Sequence, residues 1–415
     1  MSMTGSLTHP PMGWNSYDYF DTTVNEEQVR ENAEYMARYL KPYGWEYIVV
    51  DIEWYSKVAG QSRDKYQYVP FGELEMDEYS RLLPDVSRFP SSKDKKGFKP
   101  LADHVHDLGL KFGIHMMRGI PRIAAHTKTK IKGSDLRADE VADPYSICPW
   151  NPDMYGVDPD SPAAQKYYDS LLELYSSWGV DLIKCDDICR MDAKSAKAEI
   201  SMLHRAIKNC GRDIILSLSP GPAIIDEHDF YKRNANMWRI TDDFWDNWGS
   251  LKDMFDRCRK WQPYVCDNAY PDRDMLPIGM IGKGFGQERK TRFSFDEQKT
   301  MITLWSIFRS PLMIGANLAL LDDETLKLLT NERIYTMARS IRESKEVYKD
   351  DRFIVWEGRS LDNGYIAIFN ISDSLQLDIP VTIKQGSIEM WTGRVLNDLD
   401  DMSIAPHAVI ALMTE

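Results

Sequence analysis

The chain has 415 residues, of which 43% are hydrophobic and 28% charged; the composition is ordinary for a globular protein and the length suits a barrel with an added module. Its formal net charge of −13 argues against nucleic acid or an anionic membrane surface as a partner, because like charges repel. No run of about 18 apolar residues predicts a membrane span. The stretch from Met1 to Pro11 lacks the basic and apolar regions of a secretory signal. We therefore expect a cytoplasmic enzyme with six reduced cysteines, unless truncation has removed a signal peptide.

Short apolar segments alternate with polar, helix-like segments through the first three quarters of the chain. The helix-like segments include 26–40 and 162–178, where apolar residues recur every three or four positions. Eight strands are predicted, at 12–17, 46–51, 111–116, 181–186, 214–219, 237–243, 275–279 and 310–315. Eight strand–helix units predict a (β/α)8 TIM barrel with its active site at the carboxyl ends of the strands. A doubly wound open sheet is disfavoured, because no G-x-G-x-x-G follows the first strand.

The pattern changes after about residue 340. Apolar and polar residues alternate in the segments 353–357, 364–370, 376–383 and 408–413, which are separated by turn-forming residues. Such alternation is typical of antiparallel strands. We predict a catalytic barrel over residues 1–340 and a small C-terminal β-sandwich over residues 341–415.

Two of the predicted barrel strands end in paired acids that follow a cation. The first reads Lys184-Cys185-Asp186-Asp187, and the second runs from Arg239 to Asp242-Asp243. Lys184 and Asp186 project from the same face of an extended chain, and a nearby ammonium group keeps a carboxylate ionised, as a nucleophile requires. Taken alone, the first motif is more typical of a structural ion pair at a strand end than of a catalytic site. Two carboxylate sites in one chain, however, are what glycoside hydrolysis needs.

Six motifs on successive strands together resemble glycoside hydrolase family 27, the α-galactosidase family, over nearly the whole chain. They are Pro11-Met12-Gly13-Trp14-Asn15-Ser16, Asp51 with Trp54, Lys184-Cys185-Asp186, Trp238-Arg239 with Asp243, Asp274-Met275-Leu276, and Ser310-Pro311-Leu312-Met313. Each motif alone is weak, and the specificity lies in their order and spacing.

The resemblance implies a retaining exo-glycosidase that removes a terminal galacto-configured pyranose without a metal or organic cofactor. Asp186 is then the nucleophile and Asp243 the general acid/base, with their carboxyl groups about 5–5.5 Å apart. An ionised Asp186 favours the protonated form of the neighbouring Asp243, as the acid role requires. The adjacent Asp187 and Asp242 are the alternatives for these two roles.

The resemblance also suggests a set of sugar-binding residues. Arg239 is expected near the sugar 2-position, and Asp274 lines the pocket unless it caps a helix. Trp54 and Trp150 offer aromatic faces for stacking on a sugar, although twelve tryptophans make structural roles common. Trp150 lies in the long segment from Arg118 to about Asp160, whose length is typical of a functional loop. The full predicted set is Tyr17, Asp51, Glu53, Trp54, His115, Arg118, Trp150, Lys184, Ser219, Arg239 and Asp274.

The chain departs from the family at the second strand. The family has two adjacent aspartates there, which bind the 4- and 6-hydroxyls of galactose, whereas this chain reads Asp51-Ile52-Glu53-Trp54. Glu53 compensates for the missing aspartate if the strand continues, because it then shares the face of Asp51. Alternatively the substrate lacks that hydroxyl, as β-L-arabinopyranose does, and some members of the family cleave this sugar.

Further departures leave the substrate open. His115 stands where tyrosine is usual, and Tyr17 where tryptophan is frequent. Ser219 and its small neighbours occupy the region that reads the 2-substituent, where an N-acetyl group fits in the family's α-N-acetylgalactosaminidases.

Two other functional classes compete with this interpretation. A non-catalytic sugar-binding barrel is disfavoured because both carboxylates are present. A metal-dependent hydrolase needs ligands at several strand ends, for which His115, Asp51 and Glu53 offer a sparse set. The expected partner is an oligosaccharide or another glycoside, with no nucleic acid and no membrane, and a homodimer remains open.

Overall fold

A computed structural model describes residues 7–399 and 402–414. Part of the Met1 to Pro11 stretch, in which no secretory signal is predicted, lies outside these residues. Eight parallel strands form one sheet, and they are β1 Met12–Asn15, β2 Tyr47–Val50, β3 Lys111–Met117, β4 Leu182–Asp186, β5 Ile215–Leu218, β6 Met237–Arg239, β7 Tyr270–Asp272 and β8 Leu312–Ile314. Their order in the sheet is β7-β6-β5-β4-β3-β2-β1-β8. A parallel bridge between Leu276 and Ile314 joins the segment after β7 to β8 and closes the sheet, so the predicted barrel is confirmed.

The seventh strand differs from the prediction. It is Tyr270–Asp272, paired in parallel with β6, and the predicted segment 275–279 supplies only the bridge at Leu276. Pro271 lies inside the true strand, where its missing N–H makes the sequence look unlike a strand. Asp274 has a φ of 75°, which turns the chain between the two segments.

Helices alternate with the barrel strands, and the two predicted helical segments are helical. The first is Glu26–Tyr35 with a π-helical extension over Met36–Leu40, and it starts at a capping box between Asn25 and Gln28. No helix of residues 7–399 and 402–414 is long and apolar enough to cross a membrane. The α-helices are α1 Tyr17–Phe20, α2 Glu26–Tyr35, α3 Lys99–Asp107, α4 Arg122–Thr127, α5 Ala164–Trp178, α6 Ala196–Asn209, α7 His228–Asn234, α8 Trp248–Trp261, α9 Phe295–Phe308, α10 Asp323–Leu329 and α11 Glu332–Ser340. Short 3-10 helices lie at Lys41–Tyr43, Pro90–Ser92, Ala138–Glu140, Ile225–Glu227, Gln262–Tyr264 and Leu318–Leu320.

The long segment between β3 and β4 contains structure of its own. Three short strands, Ile120–Pro121, Ala142–Ile147 and Met154–Val157, form an antiparallel sheet with Met154–Val157 in the middle. We call this unit the β3–β4 insert. A smaller antiparallel pair, Met280–Ile281 with Arg289–Lys290, follows β7.

The C-terminal region is antiparallel, as predicted, and its strands are β9 Glu343–Lys349, β10 Phe353–Arg359, β11 Gly364–Asn370, β12 Ser387–Glu389, β13 Val395–Leu396 and β14 Val409–Thr414. They form a six-stranded sheet in the order β9-β10-β11-β14-β12-β13. Two details of the prediction were wrong. The segment 376–383 makes only an isolated bridge from Gln376 to Ile404, and the charged strand β9 was missed. One face of the sheet packs against α9, for example through Phe308 and Trp356.

Candidate active site

A cavity of about 230 Å3 lies at the carboxyl ends of the barrel strands. Strands β2, β4, β6 and β7 each deliver a charged side chain to it, at the strand's last residues or just beyond. This is where parallel barrels collect functional groups. Eight of the residues predicted from sequence line this cavity, namely Tyr17, Asp51, Trp150, Lys184, Asp186, Arg239, Asp243 and Asp274.

Asp51 is fixed by three donors on the cavity wall. One carboxylate oxygen accepts from Lys184 Nζ at 2.8 Å and from Asn15 Nδ2 at 2.7 Å, and the other accepts from the Ile52 backbone N–H at 2.8 Å. Burial alone would raise the pKa of Asp51, but the charges of Lys184 and His115 and the hydrogen bonds from Lys184 and Ile52 together outweigh burial, so the pKa lies below its usual value. Asp51 therefore presents a rigid carboxylate, an acceptor suited to sugar hydroxyls.

Asp186 is held as a carboxylate by a histidine as well as by the lysine. Its Oδ2 lies 3.2 Å from His115 Nε2, and its Oδ1 accepts from the Asp187 backbone N–H at 3.0 Å. Burial would raise the pKa of Asp186, but the hydrogen bond and charge of His115 and the charge of Lys184 outweigh burial and hold the pKa well below its usual range. The result is an ionised carboxylate deep in the cavity, as a nucleophile requires.

Arg239 connects two further acids of the cavity, Asp274 and Asp243. Its guanidinium pairs with Asp274 at 2.8 Å and with Asp243 at 3.0 Å. Burial raises the pKa of Asp274 to about 6 despite the opposing charge of Arg239. Asp274 caps no helix; instead its Oδ2 accepts from the Phe244 backbone N–H.

Asp186 and Asp243 lie at different depths. The Asp186 side chain is 15% exposed, whereas the Asp243 side chain is 59% exposed. Asp243 therefore lies at the mouth of the cavity, where it can exchange protons with solvent and reach a leaving group. The neighbouring Asp242 also lines the cavity, but it is paired with Arg190 at 2.5 Å.

Asp187, the alternative to Asp186, does not line this cavity. Its φ of 58° turns the backbone at the strand end, and its carboxylate pairs with Arg118 at 2.8 Å. Arg118 is buried and also pairs with Glu199 at 3.1 Å. The predicted sugar contact by Arg118 is therefore replaced by a supporting role under the end of β4.

The structure also keeps Glu53 and Trp54 away from the cavity. Strand β2 ends at Val50 and Glu53 has a φ of 66°, so the alternation expected to place it beside Asp51 does not hold. Burial and the proximity of Asp153 raise the pKa of Glu53 to about 8. Trp54 packs in the core and donates through Nε1 to the His115 carbonyl.

Two predicted residues lie just outside the cavity. His115 is fully buried and reaches the site only through Asp186. Ser219 lines a separate buried space of about 30 Å3, into which Lys184 and Arg239 also project. The Ser219 hydroxyl has no hydrogen-bond partner among the described residues.

Several lining residues were missed from sequence. Gln67 and Tyr68 come from the long segment after β2, and Gln67 donates to the Tyr17 hydroxyl at 2.5 Å. The length of that segment was the available signal. Asp18 is fully buried and burial raises its pKa well above the usual value; its only sequence signal is its place directly after Tyr17. The other residues missed are Arg190, Pro220, Phe244, Trp245 and Met275.

The described residues contain no group of three or more histidines, cysteines and acids that could hold a metal ion. The set considered for a metal site is not assembled, because Glu53 is directed away from Asp51. All six cysteines are free thiols.

Comparison with known proteins gives consistent matches. Residues 157–340 match a family model described as alpha galactosidase A. The chain is 49% identical to a family 27 β-L-arabinopyranosidase from Geobacillus stearothermophilus, whose crystal structure superposes with a TM-score of 0.93 over 98% of this chain and 96% of that one. A Bacillus halodurans C-125 protein, provisionally assigned as an α-N-acetylgalactosaminidase, is 44% identical over 99% of both chains, with a TM-score of 0.85. Alpha-galactosidase 2 of Arabidopsis thaliana is 26% identical over 357 residues, which cover 85% of this chain and 73% of that protein.

Proposed function

Because this chain belongs to glycoside hydrolase family 27 and is a glycoside hydrolase, we propose that it removes a terminal β-L-arabinopyranosyl unit, or less readily an α-D-galactopyranosyl unit, from a glycoside. We propose Asp186 as the nucleophile and Asp243 as the general acid/base. Their positions support these roles, since Asp186 is ionised in the depth of the cavity and Asp243 lies at its mouth. The volume of about 230 Å3, below the usual range for drug-sized ligands, suits a single sugar ring and exo-action.

The reaction proceeds in two displacements. An Asp186 oxygen attacks the anomeric carbon while the bond to the leaving oxygen breaks and Asp243 gives that oxygen its proton. The product of this step is a glycosyl ester on Asp186. Asp243, now ionised, takes a proton from water, which attacks the same carbon and releases the sugar with retained configuration.

Ile52 carries the choice of substrate. Its side chain is 1% exposed, lines the cavity and immediately follows Asp51. An isoleucine offers no hydrogen bond to the 6-hydroxyl of galactose, and a buried hydroxyl without a partner costs about 1–3 kcal/mol. β-L-Arabinopyranose lacks that group, and the G. stearothermophilus relative is an arabinopyranosidase. The alternative substrate, an N-acetylated sugar, is favoured by the Bacillus halodurans C-125 relative, but Ser219, the residue on which it was based, does not line the cavity.

The test is a panel of nitrophenyl β-L-arabinopyranoside, α-D-galactopyranoside and α-N-acetylgalactosaminide. We expect the highest kcat/KM on the arabinopyranoside and measurable turnover of the galactoside. A galactoside preference of about 100-fold or more would overturn the role given to Ile52. Loss of all turnover in Asp186→Asn is the control that assigns the activity to this cavity.

A further inference from the structure

The proposed general acid/base lies on a loop and not on a strand or helix. Asp243 belongs to the segment 240–247, which joins β6 to α8 outside any helix or strand. Its side chain is 59% exposed and pairs with Arg239. Proton transfer requires the acid to lie within hydrogen-bond reach of the leaving oxygen, and a displacement of about 1 Å can cost about 100-fold in rate. The contacts that hold the rest of this loop therefore matter for the reaction.

The antiparallel pair of Met280–Ile281 and Arg289–Lys290, with the turn between them, contacts this loop. We call residues 280–290 the 280–290 hairpin. The Arg289 guanidinium donates to both carboxylate oxygens of Asp246, at 2.8 Å on Oδ1, and the Arg292 backbone N–H donates to Oδ2 at 2.6 Å. Asp246 is buried, and a bidentate pair fixes orientation as well as distance. The hairpin therefore holds the loop just beyond the acid/base.

Phe285, in the turn of the hairpin, makes a second contact with the same loop. Its ring meets the rings of Trp245 and Tyr17 edge-on, with 5.5 Å between the ring centroids in each case. Trp245 and Tyr17 line the cavity from the ends of β6 and β1, whereas Phe285 is not among the residues that line it. The Arg63 guanidinium lies 5.2 Å from the centre of the Phe285 ring. Phe285 therefore supports two walls of the cavity from outside.

The hairpin is itself attached to α1. The backbone N–H groups of Gly282 and Gly284 donate to the carbonyl oxygens of Asp18 and Tyr19, each at 2.8 Å. A Cβ atom at Gly284 would lie 2.1 Å from the Phe20 carbonyl oxygen, so this close approach requires glycine. Because α1 directly follows β1, the hairpin connects the loop of the acid/base to the first strand of the barrel.

We propose that the 280–290 hairpin positions Asp243 for proton transfer, with Arg289 and Phe285 as its positioning residues. The inference rests on the proposed function, since it takes Asp243 as the general acid/base. Neither positioning residue touches the substrate, and each acts through a neighbour of Asp243 on the loop. Loss of either contact lets the loop move, so delivery of the proton to the leaving oxygen is impaired while the nucleophile stays in place.

The experiment varies the leaving group while the cleaved sugar stays the same. The substrates are nitrophenyl and phenyl β-L-arabinopyranoside, because phenol needs more protonation than nitrophenol to leave, and kcat/KM reports the step in which the leaving group departs. In Arg289→Met we expect kcat/KM to fall about 10- to 100-fold on the phenyl glycoside and to stay within about threefold of the wild type on the nitrophenyl glycoside. Phe285→Ala should show the same pattern through the second contact. A partly misfolded enzyme would lose the same factor on both substrates, so the ratio of the two values separates positioning from stability.

The matched control is Lys290→Ala, because Lys290 is the next residue of the same hairpin and pairs with Asp322 at the start of α10. It should leave both values within about twofold of the wild type. Arg289→Met combined with Asp246→Asn should lose no more than the larger of the two single losses, since both substitutions remove one ion pair. Equal losses on the two substrates, no loss on the phenyl glycoside, or additive losses in the double variant would overturn the proposal. Failure of the wild type on every nitrophenyl glycoside would instead remove the proposed function.

Discussion

The substitution Ile52→Asn tests how the cavity selects its sugar. Ile52 is buried in the cavity wall, and its backbone N–H donates to Asp51, so the position of the main chain is fixed. An asparagine there adds an amide next to the Asp51 carboxylate without adding a charge. We expect kcat/KM on α-D-galactosides to rise relative to β-L-arabinopyranosides.

The size of the expected rise in kcat/KM on the galactoside follows from the free energy of one neutral hydrogen bond. Such a bond contributes about 0.5–1.5 kcal/mol, which is roughly 2- to 13-fold in kcat/KM. With the arabinopyranoside the new amide has no hydroxyl to bind, and an unpaired buried amide costs about 1–3 kcal/mol. The ratio of kcat/KM on the galactoside to kcat/KM on the arabinopyranoside should therefore rise by more than the gain on the galactoside alone. Most of this rise should come from a lower kcat/KM on the arabinopyranoside.

The assay uses three nitrophenyl glycosides. Because all three have the same leaving group, differences in kcat/KM between them reflect the sugar alone. They are the α-D-galactopyranoside, the β-L-arabinopyranoside and the α-D-fucopyranoside, which is galactose without the 6-hydroxyl. In Ile52→Asn, kcat/KM should rise on the galactoside and should not rise on the fucoside. Ile52→Val is the matched control and should leave the ratio within about twofold. An unchanged ratio in Ile52→Asn, or an equal gain on the fucoside, would refute the role of the 6-hydroxyl.

Four further substitutions test the electrostatics of the site. Asp186→Asn should lower kcat by at least about 10³-fold while the circular dichroism spectrum is unchanged, because an amide cannot form the glycosyl ester; a larger residual kcat would move the nucleophile elsewhere. In Asp243→Ala, kcat should fall about 10²–10⁴-fold on substrates with sugar leaving groups and much less on nitrophenyl glycosides, because nitrophenol needs little protonation to leave. Equal losses on both kinds of substrate would instead point to Asp242 as the general acid. His115→Phe should move the acid limb of kcat/KM to higher pH, because loss of the hydrogen bond raises the pKa of Asp186, and an unmoved limb would contradict this. Burial raises the pKa of Asp18 above its usual 3.8, so the folded protein keeps that proton and loses stability as pH rises above about 4. The melting temperature of Asp18→Asn should therefore gain on that of the wild type as pH rises from about 4, and a difference that does not change with pH would refute this.

Residues at strand ends were the part of the site that sequence could place. Asp51, Asp186 and Arg239 were located because apolar runs mark the strands and parallel strands bring their carboxyl ends together. The alternation rule failed where a strand stopped. Glu53 was expected beside Asp51, but β2 ends at Val50 and the chain turns at once.

Other features depended on contacts distant in sequence. Gln67 and Tyr68 reach the cavity from a long segment whose path no local pattern determines. The position predicted for strand β7 was wrong because Pro271 lies inside the true strand and makes its sequence unlike a strand. The strand forms through its pairing with β6, which no local sequence pattern shows. The Ser146 side chain is buried against the hydroxyl of Ser195, which lies almost fifty residues later in the sequence.

Lys184 and His115 hydrogen-bond to two different acids of the site, Asp51 and Asp186. Lys184 was expected to charge Asp186 directly, yet its hydrogen bond goes to Asp51. Asp186 takes its hydrogen bond from His115 instead, and Lys184 acts on it only through space. A substrate hydroxyl that engaged Asp51 and Lys184 would therefore leave intact the hydrogen bond that holds Asp186, the proposed nucleophile, ionised. If these roles are correct, a change at Ile52 should alter KM before it alters the reactivity of Asp186, so that specificity changes while the displacement itself is preserved.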